Sequence, residues 1–371
     1  MIPISVPFID QQDIDGTTEV LKSGMLVQHK NVQAFEAELK TWLSPSHTAV
    51  AVSNGTAALH LALLALGVGP GDQVIVPTYS WPATANAVEL CGAKPIFVEI
   101  EEQTWGLDPK AFAEAVQKAK TKNIKIKAAI VVHAFGCPAK MDELLATCKE
   151  FNIPLIEDAA CAIGSTWHQQ NIGALAALGC FSFHPRKVVT TGEGGMIATT
   201  SKEIDRQLRA LRNHGQDPDS PTPDFILPGF NYRMTDMQGS LGRTQLKKLP
   251  EMLAKRRKLA NLYMQELKST SLTFQTPFPN TETNWQTFAV ILPVGIERQT
   301  VVKKLAEQGI SAMMGTWHIP LIRYYKEKYG FKLGDFPVSD KIFQQSMSLP
   351  LHHKMTEDDV VKIAKAVKES L

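Results

Sequence analysis

A lysine and an aspartate carry the reactive chemistry this sequence suggests. Lys187 lies in Phe181-Ser-Phe-His-Pro-Arg-Lys-Val-Val-Thr-Thr-Gly-Glu-Gly-Gly195, five residues after Ser182 and just before a glycine-dense turn. Glycines so closely spaced let backbone approach a ligand and adopt positive φ. A lysine amine beside such a turn can form a Schiff base with a carbonyl and move protons once released. Asp158 ends the apolar run Pro154-Leu-Ile-Glu-Asp158. A carboxylate at a buried strand end is costly unless it meets a cation or a protonated ring nitrogen. Ser53-Asn-Gly-Thr56 precedes the helix-forming stretch Ala57–Leu66. Backbone N–H groups and the helix dipole there favour an anion, although the same residue types also serve as a plain N-cap. Trp81 adds a flat apolar face.

The elements that must position these residues alternate along the chain. Ala49–Val52, Gln73–Pro77, Pro95–Val98, Lys127–His133 and Pro154–Asp158 read as short, continuously apolar strands. Between them, Ala57–Leu66, Ser80–Val88, Asp108–Lys120 (with Pro109 in its first turn) and Met141–Phe151 read as helices. Such alternation predicts an α/β fold with a mostly parallel sheet flanked by helices. Sheets of this kind bind ligands outside the carboxyl ends of their strands, which is where Thr56, Asp158 and Lys187 fall. Residues 13–45 read as helical with a break near Gly24. Residues 216–229 are rich in Pro and Asp and read as a loop. A long helical region, Thr235–Lys268, is expected to be interrupted around Pro250. From Trp285 the pattern becomes separated strands and helices: Thr287–Leu292, Gln299–Gln308 and a last helix from Glu357. The expectation is a large domain over 13–245 and a smaller α+β domain over 246–371 joined by residues 1–12.

Composition narrows the function classes. At 371 residues the chain exceeds the size at which one core keeps growing. A net charge of +2 supplies no basic field for nucleic acid or an anionic membrane surface. Five widely spaced cysteines without a CxxC pair argue against a disulfide framework or a zinc site and fit a reducing cytoplasm. No stretch reads as a signal peptide, and the longest apolar run is too short to span a bilayer. Function must therefore reside in a site, and no metal is expected there.

An amine, an acid, an anion-binding helix start and a flat ring together match the needs of pyridoxal 5'-phosphate. That cofactor offers an aldehyde, a ring nitrogen, a phosphate and a ring to stack. The chain also resembles the DegT/DnrJ/EryC1/StrS family of sugar aminotransferases, which are fold-type-I pyridoxal phosphate enzymes. The resemblance runs through Val52-Ser-Asn-Gly-Thr-Ala-Ala-Leu59, Gly69-Pro-Gly-Asp72, Ala83-Thr-Ala-Asn86, Ile156-Glu-Asp-Ala-Ala160, Phe181–Gly195, Arg212-Asn-His-Gly215 and Gly229-Phe-Asn-Tyr-Arg-Met-Thr235. It implies that Lys187 holds the cofactor aldehyde and that Asp158 pairs with the ring nitrogen. It further implies that Gly55, Thr56 and Ser182 hold the phosphate and that Trp81 stacks on the ring. Asn231 would reach the phosphate of a neighbouring subunit, making a homodimer with composite sites. The sequence departs from the family at Cys161, where a Gln or His usually bonds the cofactor's 3'-oxygen; a thiol is a weak donor. It departs again at Gln28 and His29, near a usual Gly.

Four further residues are substrate candidates. His184 could touch substrate or cap the turn before Pro185. Glu193 could orient the glycine-rich turn or a substrate group. Arg233 could grip a carboxylate or phosphate or form a structural ion pair. His318, like His352, reads rather as a satisfied surface histidine. The resemblance implies transfer of an amino group, with glutamate as donor, to a nucleotide-linked keto-deoxy sugar, a 4-keto-6-deoxy sugar in preference. A sugar dehydratase of the same family is the alternative, but those carry His at the lysine position, so Lys187 argues against it. A catalytically silent homologue is a second alternative, disfavoured by intact Lys187 and Asp158.

Overall fold

The apolar segments and their partners form one seven-stranded sheet. A computed structural model describes residues 1–371. The strand order is Thr48–Val52, Gly195–Thr199, Leu178–Ser182, Leu155–Asp158, Ile126–Val132, Gln73–Pro77, Lys94–Val98. Every pair is parallel except the two made by Gly195–Thr199, which runs opposite to both neighbours. The strands are mostly apolar because both faces are covered. Ala49 and Ala51 pack on one side with Phe35 and Leu39. Val50 and Val52 pack on the other with Leu59 and Leu63.

Local signals place the helices. Gln11–Ser23 opens with a capping box between Asp10 and Asp13 and stops at Gly24, whose φ of 71° is left-handed. Gly55–Ala65 follows the first strand directly, and Asp108 caps Pro109–Thr121. As a result, the carboxyl ends of Thr48–Val52, Gln73–Pro77, Leu155–Asp158 and Leu178–Ser182 share one edge. From that edge come Ser53–Thr56, Ser80–Trp81, Asp158 itself and the Lys187 loop.

A second, antiparallel sheet of four strands lies in the C-terminal part, in the order Thr273–Phe274, Phe288–Ile291, Ser346–Leu349, Met313–Met314. The helices Arg298–Glu307 and Glu357–Ser370 pack with it around Phe288, Val301 and Ile363. Residue 2 bridges to Ile310, so the first residues join this part of the molecule. Two features differ from the sequence expectation. Helix Asp236–Glu266 is continuous over 31 residues and runs through Pro250. Pro250 lies on its exposed face, whereas Leu249, Met252 and Leu253 are buried, so the missing N–H and the ring are accommodated on the solvent side. In addition, Tyr79–Ser80 precedes the helix Ala83–Leu90 as a short strand and pairs with Trp317–His318 from the C-terminal part. No helix is long and apolar enough to cross a membrane.

Candidate active site

At the shared strand edge lies a cavity of about 760 Å³, within the usual range for small-molecule sites. Lys187, Asp158, Gly55, Thr56, Ser182, Trp81 and Cys161 all line it. Asp158 is the last residue of its strand and is 5% exposed. Its Oδ2 accepts from the Thr84 hydroxyl at 2.9 Å and its Oδ1 from the Ala160 N–H at 3.2 Å. Burial pushes this carboxyl above the usual carboxylate range, while Thr84, Ala160 and the charge of Lys187 pull it back. An acid so enclosed, hydrogen-bonded but without a cation in contact, is suited to a ring N–H⁺ brought by a ligand.

The phosphate-sized end is built by the first turn of Gly55–Ala65. Asn54 is its N-cap, accepting from the Ala57 N–H at 2.8 Å. That cap leaves the Gly55 and Thr56 N–H groups, first in the helix, free to meet an anion. Gly55 must lack a side chain here, because a Cβ would sit 2.8 Å from the Cβ of Ser182. The Ser182 hydroxyl is therefore held directly against the helix start.

Lys187 Nζ donates to Cys161 Sγ at 3.0 Å. Four of the five cysteines are buried, and Cys161 is the partly exposed one. The lysine loop leaves the strand at Ser182 and returns at Gly195, which pair in register. Phe183 N–H donates to the Gly194 carbonyl at 2.8 Å and closes its base. Gln238 Nε2 donates to the Glu193 carbonyl at 2.6 Å, tying the loop to the long helix.

The remaining sequence candidates separate. His184 and Glu193 line the cavity. His184 Nδ1 accepts from the Arg186 N–H at 3.2 Å, and burial lowers its imidazole pKa against the pull of Glu193. Asn231 is exposed and lies outside its own cavity. Arg233 donates to Asn213 Oδ1 at 2.5 Å and also lies outside. His318 is 1% exposed and turned away from the cavity, its Nδ1 3.1 Å from Asp340 Oδ1 and its ring near Phe336 and Phe343. The neighbouring Trp317 lines the cavity instead. His352 is likewise buried, so neither histidine is a surface residue; the strand pairing of Trp317–His318 and the turn after Leu349 enclose them. Gln28 and His29 precede the helix Lys30–Leu43, where Asp236 Oδ1 accepts the His29 N–H at 3.1 Å.

Sequence reasoning gave no role to Thr84, the partner of Asp158, although it lies within the quoted Ala83-Thr-Ala-Asn86 motif. Its spacing of four from Ser80, whose hydroxyl is 2.9 Å away, is the local signal. Arg186, Tyr232, Gln286 and Thr287 also line the cavity unanticipated.

The family model for the DegT/DnrJ/EryC1/StrS aminotransferase family matches residues 7–368. The chain belongs to this family. Among its relatives is the spore coat polysaccharide biosynthesis protein SpsC of Bacillus subtilis, 33% identical, covering 99% of this chain and 96% of that one. Among solved structures, Spr1654 of Streptococcus pneumoniae, assigned as a sugar aminotransferase and seen in its PMP form, superposes with a TM-score of 0.92. It is 27% identical and covers 100% of this chain and 99% of that one. The aminotransferase TlmJ of Streptoalloteichus hindustanus matches with a TM-score of 0.90 and 27% identity, covering 100% and 98%. This DegT/DnrJ/EryC1/StrS member is accordingly a pyridoxal phosphate-dependent sugar aminotransferase of fold type I. The buried acid, the accessible amine and the open helix start are a donor set that fits that cofactor.

Proposed function

We propose that the protein transfers an amino group from glutamate to a nucleotide-linked keto-deoxy sugar, a 4-keto-6-deoxy sugar in preference, for deoxyamino-sugar and surface polysaccharide synthesis. The observation that carries this reading is the convergence of Lys187, Asp158 and the Gly55–Thr56 helix start in one cavity with room beyond them. SpsC, by its name a polysaccharide biosynthesis protein, supports the pathway class. Pyridoxal phosphate supplies, when bound, an electron-accepting ring that makes an amino-acid Cα proton removable and carries the amino group between substrates.

The chain's own residues do the rest. Gly55 and Thr56 N–H groups and the Ser182 hydroxyl bind the phosphate. Asp158 holds a proton on the ring nitrogen, and Thr84 and Ala160 fix that carboxylate in place. Lys187 would hold the cofactor's aldehyde by its amine, and its Nζ would move the proton of the substrate's Cα. Trp81, which lines the cavity while 61% exposed, would lie against the ring's face. Cys161 takes the lysine's hydrogen bond in this chain, so it is a positioning residue for the free amine. His184 and Glu193 face the substrate from the lysine loop.

The active unit in this reading is a homodimer in the cytoplasm. Asn231 is exposed, as are Phe225 and Ile226 at 61% and 42% on the preceding loop. That combination suits a segment that reaches a second copy and delivers Asn231 to its phosphate. Residues 13–245 form the cofactor-binding unit, and 246–371 with 1–12 the smaller one. The free cysteines suit a reducing compartment. The test is a panel of UDP-, GDP- and dTDP-linked keto sugars with glutamate as donor. Loaded protein should be yellow, lose that band with glutamate and regain it with one sugar of the panel. Lys187→Ala should lose both the band and turnover; turnover at the wild-type rate in that variant would sink the assignment.

A further inference from the structure

The cavity has two walls of opposite character. The strand-edge wall carries charge: Lys187, Asp158, Arg186 and Glu193. The wall from the C-terminal part and the first residues carries none. Its polar members are Ser5, Gln286, Thr287, Thr316 and Ser348, all neutral amides or hydroxyls. Within this wall Gln286 stands out. It is 9% exposed, it lines the cavity, and its Oε1 has no hydrogen-bond partner. A buried polar atom left unpaired costs about 1–3 kcal/mol, and a hydroxyl entering the cavity would relieve that cost.

Gln286 is also held firmly. Its N–H donates to Asn284 Oδ1 at 2.8 Å. Asn284 Nδ2 in turn donates to the carbonyls of Cys161 and Ile163 at 2.9 and 2.8 Å. The Gln286 carbonyl accepts from Arg256 Nη1 at 3.3 Å. The side-chain Nε2 donates to Thr287 Oγ1 at 3.1 Å. The residue is thus tied through Asn284 to the loop that carries Cys161, next to the cofactor lysine.

We propose that Gln286, with Thr287 beside it and Ser348 on the same wall, is the specificity-determining residue that reads a ring hydroxyl of the sugar substrate; this rests on the sugar-aminotransferase reading above. The chemistry of the wall selects the ligand class. A carboxylate only accepts, and no cation on this wall offers it a partner. A hydroxyl both donates and accepts, so it satisfies the free amide atom in either orientation of the Gln286 amide. The amino donor, an anion, is therefore served by the charged wall, and the neutral polyol by this one. Sites that bury a hydrogen-bonding group for a substrate hydroxyl reject analogues that lack it.

Two kinds of measurement test this. The first is calorimetric binding of UDP-, GDP- and dTDP-linked 6-deoxyhexoses and a ring-deoxygenated analogue to cofactor-free protein. Wild type should prefer the hydroxylated ligand, and Gln286→Met should bind it about ten- to a hundredfold more weakly and lose the preference. The second is loss of the visible band on adding glutamate alone, which should keep its wild-type rate in Gln286→Met. If that variant does not fold, the shorter Gln286→Asn and Ser348→Ala are measured in the same way and should weaken sugar binding alone. Unchanged sugar binding and preference in the folded variants overturns the inference while leaving the proposed function intact. A slowed glutamate step with normal sugar binding also overturns it, by moving Gln286 to the donor. Wild-type protein that binds none of the sugar nucleotides overturns the sugar reading itself, and this inference with it.

Discussion

The Thr84 hydroxyl donates to Asp158 Oδ2 at 2.9 Å, joining the first turn of helix Ala83–Leu90 to the end of a strand that lies two places in the sheet from Gln73–Pro77. This bond pulls the pKa of a buried acid down against the burial that raises it. Thr84→Val keeps the shape and removes the proton. A hydrogen bond to a charged group is worth about 1.5–3 kcal/mol. Turnover and cofactor affinity should therefore fall about tenfold or more, and Thr84→Ser should restore most of both. Cofactor titration by absorbance and steady-state rates check this; a Thr84→Val enzyme with wild-type affinity and rate would show that the bond has no part in the chemistry.

Asp158→Asn should act in opposite directions on the empty and loaded protein. Burial raises the folded pKa of Asp158 above its unfolded value of about 3.9. Between those values the folded state binds more protons than the unfolded one. Stability therefore falls as pH rises through that window and stays lower above it. A neutral amide escapes this loss. Cofactor-free Asp158→Asn should melt above wild type at neutral pH, with the advantage gone below about pH 4. The loaded variant should lose about 3–4 kcal/mol of transition-state stabilisation. Thermal melts across pH and single-turnover kinetics supply both readings, and a variant less stable than wild type at neutral pH would contradict the first.

Complementation between inactive subunits tests the composite site. Mixing Lys187→Ala with Asn231→Asp subunits gives mixed dimers in which one site carries both lesions and the other neither. With free exchange, half the dimers are mixed, so about a quarter of wild-type activity should return. Asp is chosen because its charge repels phosphate. The prediction presumes that each homodimer is inactive by itself, which the unmixed controls establish. No recovery under verified exchange would confine Asn231 to its own subunit or remove it from any site.

Acid should destabilise the protein from the histidine range downward. Burial holds His47, His60, His318 and His353 below their usual values and His352 down to about 4. Each resists protonation in the folded state more than in the unfolded chain, which takes a proton below about pH 6.5. The unfolded state then binds more protons, so stability is lost as pH falls through 6.5 and on toward 4. His352→Gln should flatten this decline, as read from denaturant midpoints between pH 7 and 4.5. An unchanged slope would mean that His352 already carries a proton in the folded protein.

The large sheet was legible because its strands are buried on both faces and so carry unbroken apolar runs, as in Ala128–Val132 within the strand Ile126–Val132. Lys187 and Asp158 were legible because each ends or follows such a run. The pairing of Tyr79–Ser80 with Trp317–His318 left no local trace: each strand has two residues, and they lie far apart in the chain. That hidden pairing is also why His318 read as a surface residue. Pro250 signalled a break, but the signal is local, and the packing of Leu249, Met252 and Leu253 outweighed it. Thr84 and Gln286 acquire meaning only through partners from other elements, Asp158 in one case and Asn284 in the other.

The single reversed strand has a dynamic consequence. Because Gly195–Thr199 runs back beside Leu178–Ser182, the segment bearing Lys187 departs from and re-enters the sheet at neighbouring rungs. Both ends are anchored, and Gln238 and Gln245 of the long helix grip it at Glu193 and Thr190. Its main chain has little slack. In the role proposed for Lys187, whatever distance the amine would travel between an aldehyde and a proton would be covered by four methylenes swinging on a stationary pivot. The range of that swing, more than any loop motion, sets which atoms of a substrate Nζ can serve.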